Sequence, residues 1–205
     1  PPPRLWSTPP RGIGFPARTT GETRAVRRNT SGGLVGAAGI AVDRNGMVWF
    51  ANEDIFFWDP EREVLVDYSP VALFRSNTVV ADSNGTTWFL STSGDLYRFN
   101  TINSSFERIR RGAGERFSRQ DIVSDGTGHI LSSAPGGIVL STDIFTNATT
   151  TLYQTDNGEI RCIVPEPGGR CWLGTDHGIV LVDGDSRRVF THDRSDPGSI
   201  AGEDI

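Results

Sequence analysis

Residues 38–52 read AGIAVDRNGMVWFAN, and three later stretches of the chain repeat this pattern. In each stretch, apolar residues lead to a carboxylate, a glycine follows three positions later, and a bulky residue follows three positions after that. The repeats are NTVVADSNGTTWFLS at 77–91, QDIVSDGTGHILSSA at 120–134 and IRCIVPEPGGRCWLG at 160–174. Because aspartate favours the start of a turn and glycine its end, each stretch predicts two antiparallel strands joined by a tight turn.

The turn glycines recur at a regular spacing. They lie 39, 43 and 41 residues apart, at Gly46, Gly85, Gly128 and Gly169. After each hairpin we predict an apolar third strand and a more polar fourth strand, as in IFFWD at 55–59 and EVLVDY at 63–68. This pattern is typical of a propeller blade, and no segment has helical periodicity. We therefore predict an all-β fold, a β-propeller of four-stranded antiparallel blades with about five repeats of roughly 41 residues. At least three of the turn glycines should have positive φ.

The repeat also divides the chain. We predict a single propeller region over 1–205, with a partial blade at 1–37, blades at 38–76, 77–119, 120–159 and 160–199, and the first strand of a next blade at 200–205. In the partial blade, Trp6 takes the position of Trp49. Two arrangements remain open, a closed five-bladed ring and a fragment of a larger propeller. We favour the fragment, because SIAGEDI at 199–205 resembles the start of another hairpin.

Composition and cysteine placement exclude several classes of protein. The net charge of −5 argues against a nucleic-acid partner. The chain contains no run of 18 apolar residues, so no membrane-spanning helix is predicted. Cys162 and Cys171 fall on the two strands of one hairpin. With a turn at 166–169, Cys171 would lie opposite Val164 and diagonally from Cys162, which is poor disulfide geometry. We expect two free thiols, although a bond between them stays open.

The candidate residues for chemistry are few. The histidines are His129, His177 and His192, and their spacing matches no metal motif, so we predict no metal site, no cofactor and no catalytic residue. The recurring tryptophans are interpreted as packing between blades.

A ligand site is predicted where loops converge on the propeller axis, at the end that carries the connections between second and third strands. Polar side chains there can hydrogen-bond the hydroxyl groups of a sugar. The candidate ligand-binding residues are Arg11, Glu53, Asp54, Asp95, Asp176 and His177.

WLGTDHGIVLVD at 172–183, followed by FTHDRSDPGSIAGEDI at 190–205, resembles the two-component regulator propeller repeat. The hairpins DRNGMVWF and DSNGTTWF resemble the same repeat, whereas the third blade departs from it at Leu131 and Ser132. The resemblance implies a non-catalytic periplasmic sensor domain of a bacterial hybrid two-component system, which binds an oligosaccharide or a similar polar ligand. It also implies a parent receptor with a transmembrane helix and a histidine kinase, which could pair as a homodimer.

Two alternatives come from other classes of protein. Enzymes of the streptogramin-lyase and gluconolactonase-like type have repeats that look like residues 39–52, and they use a divalent metal held at one end of the axis. The small number of histidines at the predicted binding end favours binding over catalysis. A propeller that only binds a partner protein is the third interpretation.

Overall fold

The computed structural model describes residues 14–16, 23–25, 37–114, 121–155 and 158–202. These residues form 18 β-strands and one four-residue helix, α1 (Ser69–Ala72). The predicted all-β fold is therefore confirmed. Trp6 and Arg11, on which the partial first blade and one candidate ligand contact depend, fall outside the described residues.

Four four-stranded antiparallel sheets follow one another along the chain, each in the strand order of the sequence. Blade 1 contains β3 (Gly39–Val42), β4 (Val48–Asn52), β5 (Asp54–Asp59) and β6 (Val64–Asp67). Blade 2 contains β7 (Ser76–Ala81), β8 (Thr87–Ser91), β9 (Leu96–Asn100) and β10 (Ser105–Arg110). Blade 3 contains β11 (Ile122–Ser124), β12 (His129–Ala134), β13 (Ile138–Asp143) and β14 (Thr149–Gln154). Blade 4 contains β15 (Ile160–Pro165), β16 (Cys171–Thr175), β17 (Gly178–Asp183) and β18 (Ser186–Phe190). A separate two-stranded sheet pairs β1 (Gly14–Pro16) with β2 (Thr23–Ala25).

The first strand of each blade lies next to the first strand of the following blade, from β3 through β7 and β11 to β15. The sheets are thus arranged side by side around an axis, with their first strands innermost. This arrangement gives the propeller two ends. The loop end carries the loops near 53, 94, 136 and 176 and the links between blades, and the turn end carries the hairpin turns near 45, 84, 127 and 168.

The hairpin turns have the geometry that the sequence predicts. The four glycines have φ values of 77°, 72°, 115° and 87° at Gly46, Gly85, Gly128 and Gly169. In blade 1, the Oδ1 atom of Asp43 accepts the N–H groups of Asn45 at 2.9 Å and Met47 at 3.0 Å. The carboxylate therefore satisfies the turn's own backbone, as expected for aspartate at the start of a turn.

The core lies between the blades. Trp49 is 1% exposed and packs against Phe89 and Phe99 of blade 2, with ring centroids 5.7 and 4.5 Å away. Trp88 is buried against Ile122 and Ile130 of blade 3. Burial of such large rings is the main source of stability at these junctions. The interpretation of both tryptophans as packing between blades is confirmed.

The cysteine pair shows one correction. Cys171 lies opposite Pro165, not opposite Val164 as predicted, and Cys162 lies opposite Gly174. The turn is one residue longer than expected, because the N–H of Glu166 donates to the carbonyl of Arg170 at 2.8 Å. The shifted register separates the cysteines further along the hairpin. Both cysteines are free thiols.

Candidate functional site

The first candidate residue, Glu53, connects blade 1 to blade 2 at the loop end. Its backbone has a positive φ of 59°, and its N–H donates to the Oδ1 atom of Asn77 at 2.8 Å. Its carboxylate accepts a hydrogen bond from Arg75 at 2.5 Å. Asp54, the next candidate, begins β5 and pairs with Asn52 across the loop. Glu53 therefore has a structural role at the junction while its carboxylate stays half-exposed.

Asp95 has a similar role at the exit from blade 2. Its Oδ1 atom accepts the N–H of Gly112 at 2.8 Å, and its Oδ2 atom accepts the hydroxyl of Ser93 at 3.1 Å. Gly112 packs so closely on the loop that a Cβ there would lie 2.7 Å from the Cα of Gly94. The carboxylate thus holds the chain leaving β10 against the loop of its own blade.

Asp176 and His177 form the most open group of candidates. The Nδ1 atom of His177 lies 3.1 Å from the Oδ1 atom of Asp176, and this oxygen also accepts the N–H of Glu159 at 2.9 Å. Arg161 approaches the other carboxylate oxygen at 3.9 Å. The side chain of His177 is 61% exposed, whereas that of Arg161 is only 17% exposed. A partly shielded ion pair therefore lies beneath an accessible imidazole.

Electrostatics keep Asp176 ionised. Burial raises the pKa of this carboxyl, but hydrogen bonds from His177 and from backbone N–H groups, including that of Glu159, outweigh burial and bring the pKa below its usual value. A stable carboxylate beside Arg161 gives the group both a strong acceptor and a strong donor. Such a set can hydrogen-bond a hydroxyl group in either direction.

The sequence analysis missed three charged residues at this end. Asp121 accepts the N–H of Ile163 in blade 4 at 2.7 Å, and burial raises its pKa. Arg110 donates to Ser132 of blade 3 at 3.1 Å, and burial lowers its pKa. Arg161 is the third. Asp121 directly precedes the innermost strand β11, and Arg161 is the second residue of the innermost strand β15. A search of the first residues of these strands, in addition to the loops, would have found both.

The structure therefore brings Asp176 and His177 together with Arg161. It places Glu53 apart from them, at the junction of blades 1 and 2, and Asp95 within blade 2. Among the described residues, no group of three or more His, Cys, Asp or Glu side chains could hold a metal ion. In the same part of the chain, no helix is long and apolar enough to cross a membrane.

The geometry defines the chain as a β-propeller, and the comparison with solved structures agrees. The chain is similar to the extracellular domain assigned to the hybrid two-component system BT4673 of B. thetaiotaomicron, with a TM-score of 0.78 and 14% identity over 98% of this chain. The corresponding domain of BT3049 from the same organism gives a TM-score of 0.75 and 16% identity, also over 98% of this chain. The chain spans only 28% of the length of either domain.

Virginiamycin B lyase from Staphylococcus aureus is also similar, with a TM-score of 0.69 and 13% identity over 93% of this chain and 67% of the lyase. No family model matches the chain, and no curated protein matches it. At these identities the likeness concerns the fold, which sensors and an enzyme share. The propeller fold that the repeat resemblance implies is confirmed.

Proposed function

We propose that this chain is the ligand-sensing part of a bacterial signal-transduction receptor and binds a polar ligand without catalysis. The observation that carries the proposal is the group of Arg161, Asp176 and His177, which presents a donor, an acceptor and an exposed ring at the loop end. The fold likeness to extracellular domains of two-component systems supports the sensor class.

The charges of this group favour a neutral ligand. The guanidinium of Arg161 and the carboxylate of Asp176 offset each other, so neither a strongly anionic nor a strongly cationic ligand gains much. A carbohydrate fits this chemistry, because its hydroxyl groups both donate and accept. In this proposal Glu53 and Asp54 on blade 1 and Asp95 on blade 2 extend the polar surface that a longer oligosaccharide contacts.

The setting of the domain follows from the same proposal. The ligand is met outside the inner membrane, in the periplasm, and binding is passed to a kinase in the parent receptor. The proposal includes the pairing of two parent receptors as a homodimer.

The test is calorimetric titration of the whole chain with a panel of neutral and acidic oligosaccharides. We expect a neutral oligosaccharide to bind, and His177→Ala and Asp176→Asn each to weaken it about tenfold through loss of one hydrogen bond. Asp143→Asn is the matched control. This carboxylate lies at the turn end and accepts the N–H groups of Phe145 and Thr146, so its loss should leave binding unchanged.

A lyase or lactonase is the second candidate, favoured by the likeness to virginiamycin B lyase. The same preparation should therefore be assayed for streptogramin cleavage and lactone hydrolysis with magnesium or calcium added. Metal-dependent turnover that His177→Ala abolishes would replace the sensor proposal with the enzyme. Absence of binding to every oligosaccharide in the panel would contradict the carbohydrate proposal.

A further inference from the structure

At the turn end, three of the four blades share one arrangement that the sequence pattern did not reveal. The indole N–H of the recurring tryptophan donates to the carboxylate that starts the hairpin turn of the same blade. The Nε1–oxygen distances are 3.2 Å for Trp49 and Asp43, 2.8 Å for Trp88 and Asp82, and 2.7 Å for Trp172 and Glu166. In blades 1 and 2, the ring then fills the junction with the following blade.

Blade 3 lacks this ring. Leu131 stands at the tryptophan position and faces blade 4, and the residue opposite it in the sheet is Ser141. In the other three blades this opposite position holds larger side chains, Phe57, Arg98 and Leu181. Two neighbouring side chains on the same face are therefore smaller in blade 3 than in the other blades.

The space that these smaller side chains leave unfilled is a cavity. A space of about 300 Å³ lies between blades 3 and 4, within the usual range for small-ligand sites. Apolar groups line much of it, and a rim of His129, Asp125, Glu166 and Arg170 surrounds the opening. A second cavity, of about 240 Å³, lies at this end between blades 1 and 2, but its lining includes no residue of the tryptophan position.

The turns confirm that the junction between blades 3 and 4 is open. A Cβ at Gly85 in blade 2 would overlap the side chain of Arg44 in blade 1 and lie 2.7 Å from its backbone nitrogen. A Cβ at the equivalent Gly169 in blade 4 would meet nothing within 4 Å. The turns of blades 1 and 2 therefore touch, whereas the turn of blade 4 leaves space on its side.

His129 supplies the polar contact that the indole would make. Its Nδ1 atom lies 3.0 Å from the Oδ2 atom of Asp125, the counterpart of the carboxylates that accept tryptophan N–H groups in the other blades. Burial raises the pKa of Asp125, but hydrogen bonds from Thr127 and His129 outweigh it and leave the pKa below its usual value. Because a carboxylate only accepts, Nδ1 is the donor in this contact, and the other ring nitrogen, Nε2, is left for a second hydrogen bond.

We infer that the junction between blades 3 and 4 is a binding site for a small planar aromatic molecule that bears an N–H donor, with indole as its simplest representative. The ring lies on Leu131, Leu152 and Pro165 where a tryptophan ring would lie in another blade, and its N–H donates to Nε2 of His129. This site is separate from the polar group at the loop end, and neither proposal depends on the other.

The test is titration of the whole chain with indole and with 1-methylindole, which has the same shape but no N–H. We expect one site in the wild type, with indole bound about tenfold more tightly, as one hydrogen bond provides. His129→Ala should remove this preference. Leu131→Trp should abolish binding by filling the cavity from within, and Val189→Ala, exposed on the outermost strand of blade 4, should bind like the wild type.

Ser141→Phe is a second filling variant, needed if Leu131→Trp fails to fold, because it places at this position the ring that Phe57 provides in blade 1. Three results would overturn the inference. They are no indole binding by the wild type at millimolar concentration, equal binding of indole and 1-methylindole, and a folded filling variant that binds indole as the wild type does.

Discussion

Two junctions at the turn end, between blades 1 and 2 and between blades 3 and 4, have the same arrangement of strands. They differ in the side chains that fill them. Trp49, Phe57 and Phe99 form an aromatic cluster at the first junction, with the ring centroids of Phe57 and Phe99 lying 5.2 and 4.5 Å from that of Trp49. Leu131, Ser141 and Cys171 leave a cavity at the second. The side chains on one face of the second and third strands of a blade therefore decide whether its junction with the next blade is packed or can hold a ligand.

The largest effect is expected from truncation at the tryptophan position. Trp49→Ala should lower the free energy of unfolding by about 3–5 kcal/mol, because a fully buried ring is lost from a filled junction. Leu131→Ala should cost only about 2 kcal/mol, because Leu131 already borders a cavity and has fewer contacts to lose. Urea unfolding of both variants measures the difference. Equal costs would mean that the two junctions are packed alike.

The reactivity of Cys171, which lies on blade 4, is a second test of how the junction of blades 3 and 4 is packed. Burial raises the pKa of Cys171 to about 11. At pH 8 only about one thiol in a thousand is then ionised, and the thiolate is the reactive form. We expect alkylation of Cys171 by iodoacetamide to be at least about a hundredfold slower in the folded chain than in urea, as peptide mass spectrometry can follow. Rates within tenfold of each other would show that the cavity exposes this thiol to solvent.

A smaller effect should distinguish the turns. Gly46→Ala should cost about 1 kcal/mol, because alanine is strained at a φ of 77° but meets no neighbour. Gly85→Ala should cost clearly more, because the new Cβ would overlap Arg44 as well. The measurement is again urea unfolding of the matched pair. A Gly85 variant no less stable than the Gly46 variant would show that the turns of blades 1 and 2 separate easily.

The smallest effect concerns pH, and it has opposite signs for two carboxyls of blade 3. Asp125 has a pKa below its unfolded value, so its contribution to stability is present above about pH 4 and lost as pH falls through the folded pKa. Asp121 has a raised pKa, so stability falls as pH rises from about 4 through the folded value. The free energy of unfolding of Asp125→Asn, minus that of the wild type, should therefore fall as pH rises. The same difference for Asp121→Asn should rise. Slopes of the same sign in urea unfolding between pH 3 and 7 would contradict these assignments.

The sequence predicted the strands and turns well, because both depend on short-range signals. A carboxylate and a glycine three residues apart specify the turn within one hairpin, and alternation of apolar residues specifies its strands. The register of Cys162 and Cys171 was predicted wrongly, because the turn of blade 4 closes between Glu166 and Arg170, as the turn of blade 1 closes between Asp43 and Met47. That choice between turn types is not visible in the order of residues.

The candidate site was less accessible to sequence reasoning, because its contacts join residues that are distant in the sequence. The pairing of Arg161 with Asp176 joins an innermost strand to a loop of the same blade, and Asp121 reaches the backbone of Ile163 in the next blade. The cavity of blade 3 was present in the sequence as Leu131, which departs from the tryptophan pattern. The sequence alone does not show that the small side chain of Ser141 lies opposite Leu131, and this pairing is what leaves the cavity.

Hydrogen exchange tests the central claim, that a polar ligand binds at the loop end, most directly. The whole chain would be exchanged with and without the oligosaccharides of the panel, and peptides would be compared by mass spectrometry. We expect a bound oligosaccharide to slow exchange in the loops at 92–95 and 175–177, while the hairpin turns at 43–46 and 82–85 exchange as before. Protection confined to the hairpin turns, or no protection with any oligosaccharide, would contradict the account.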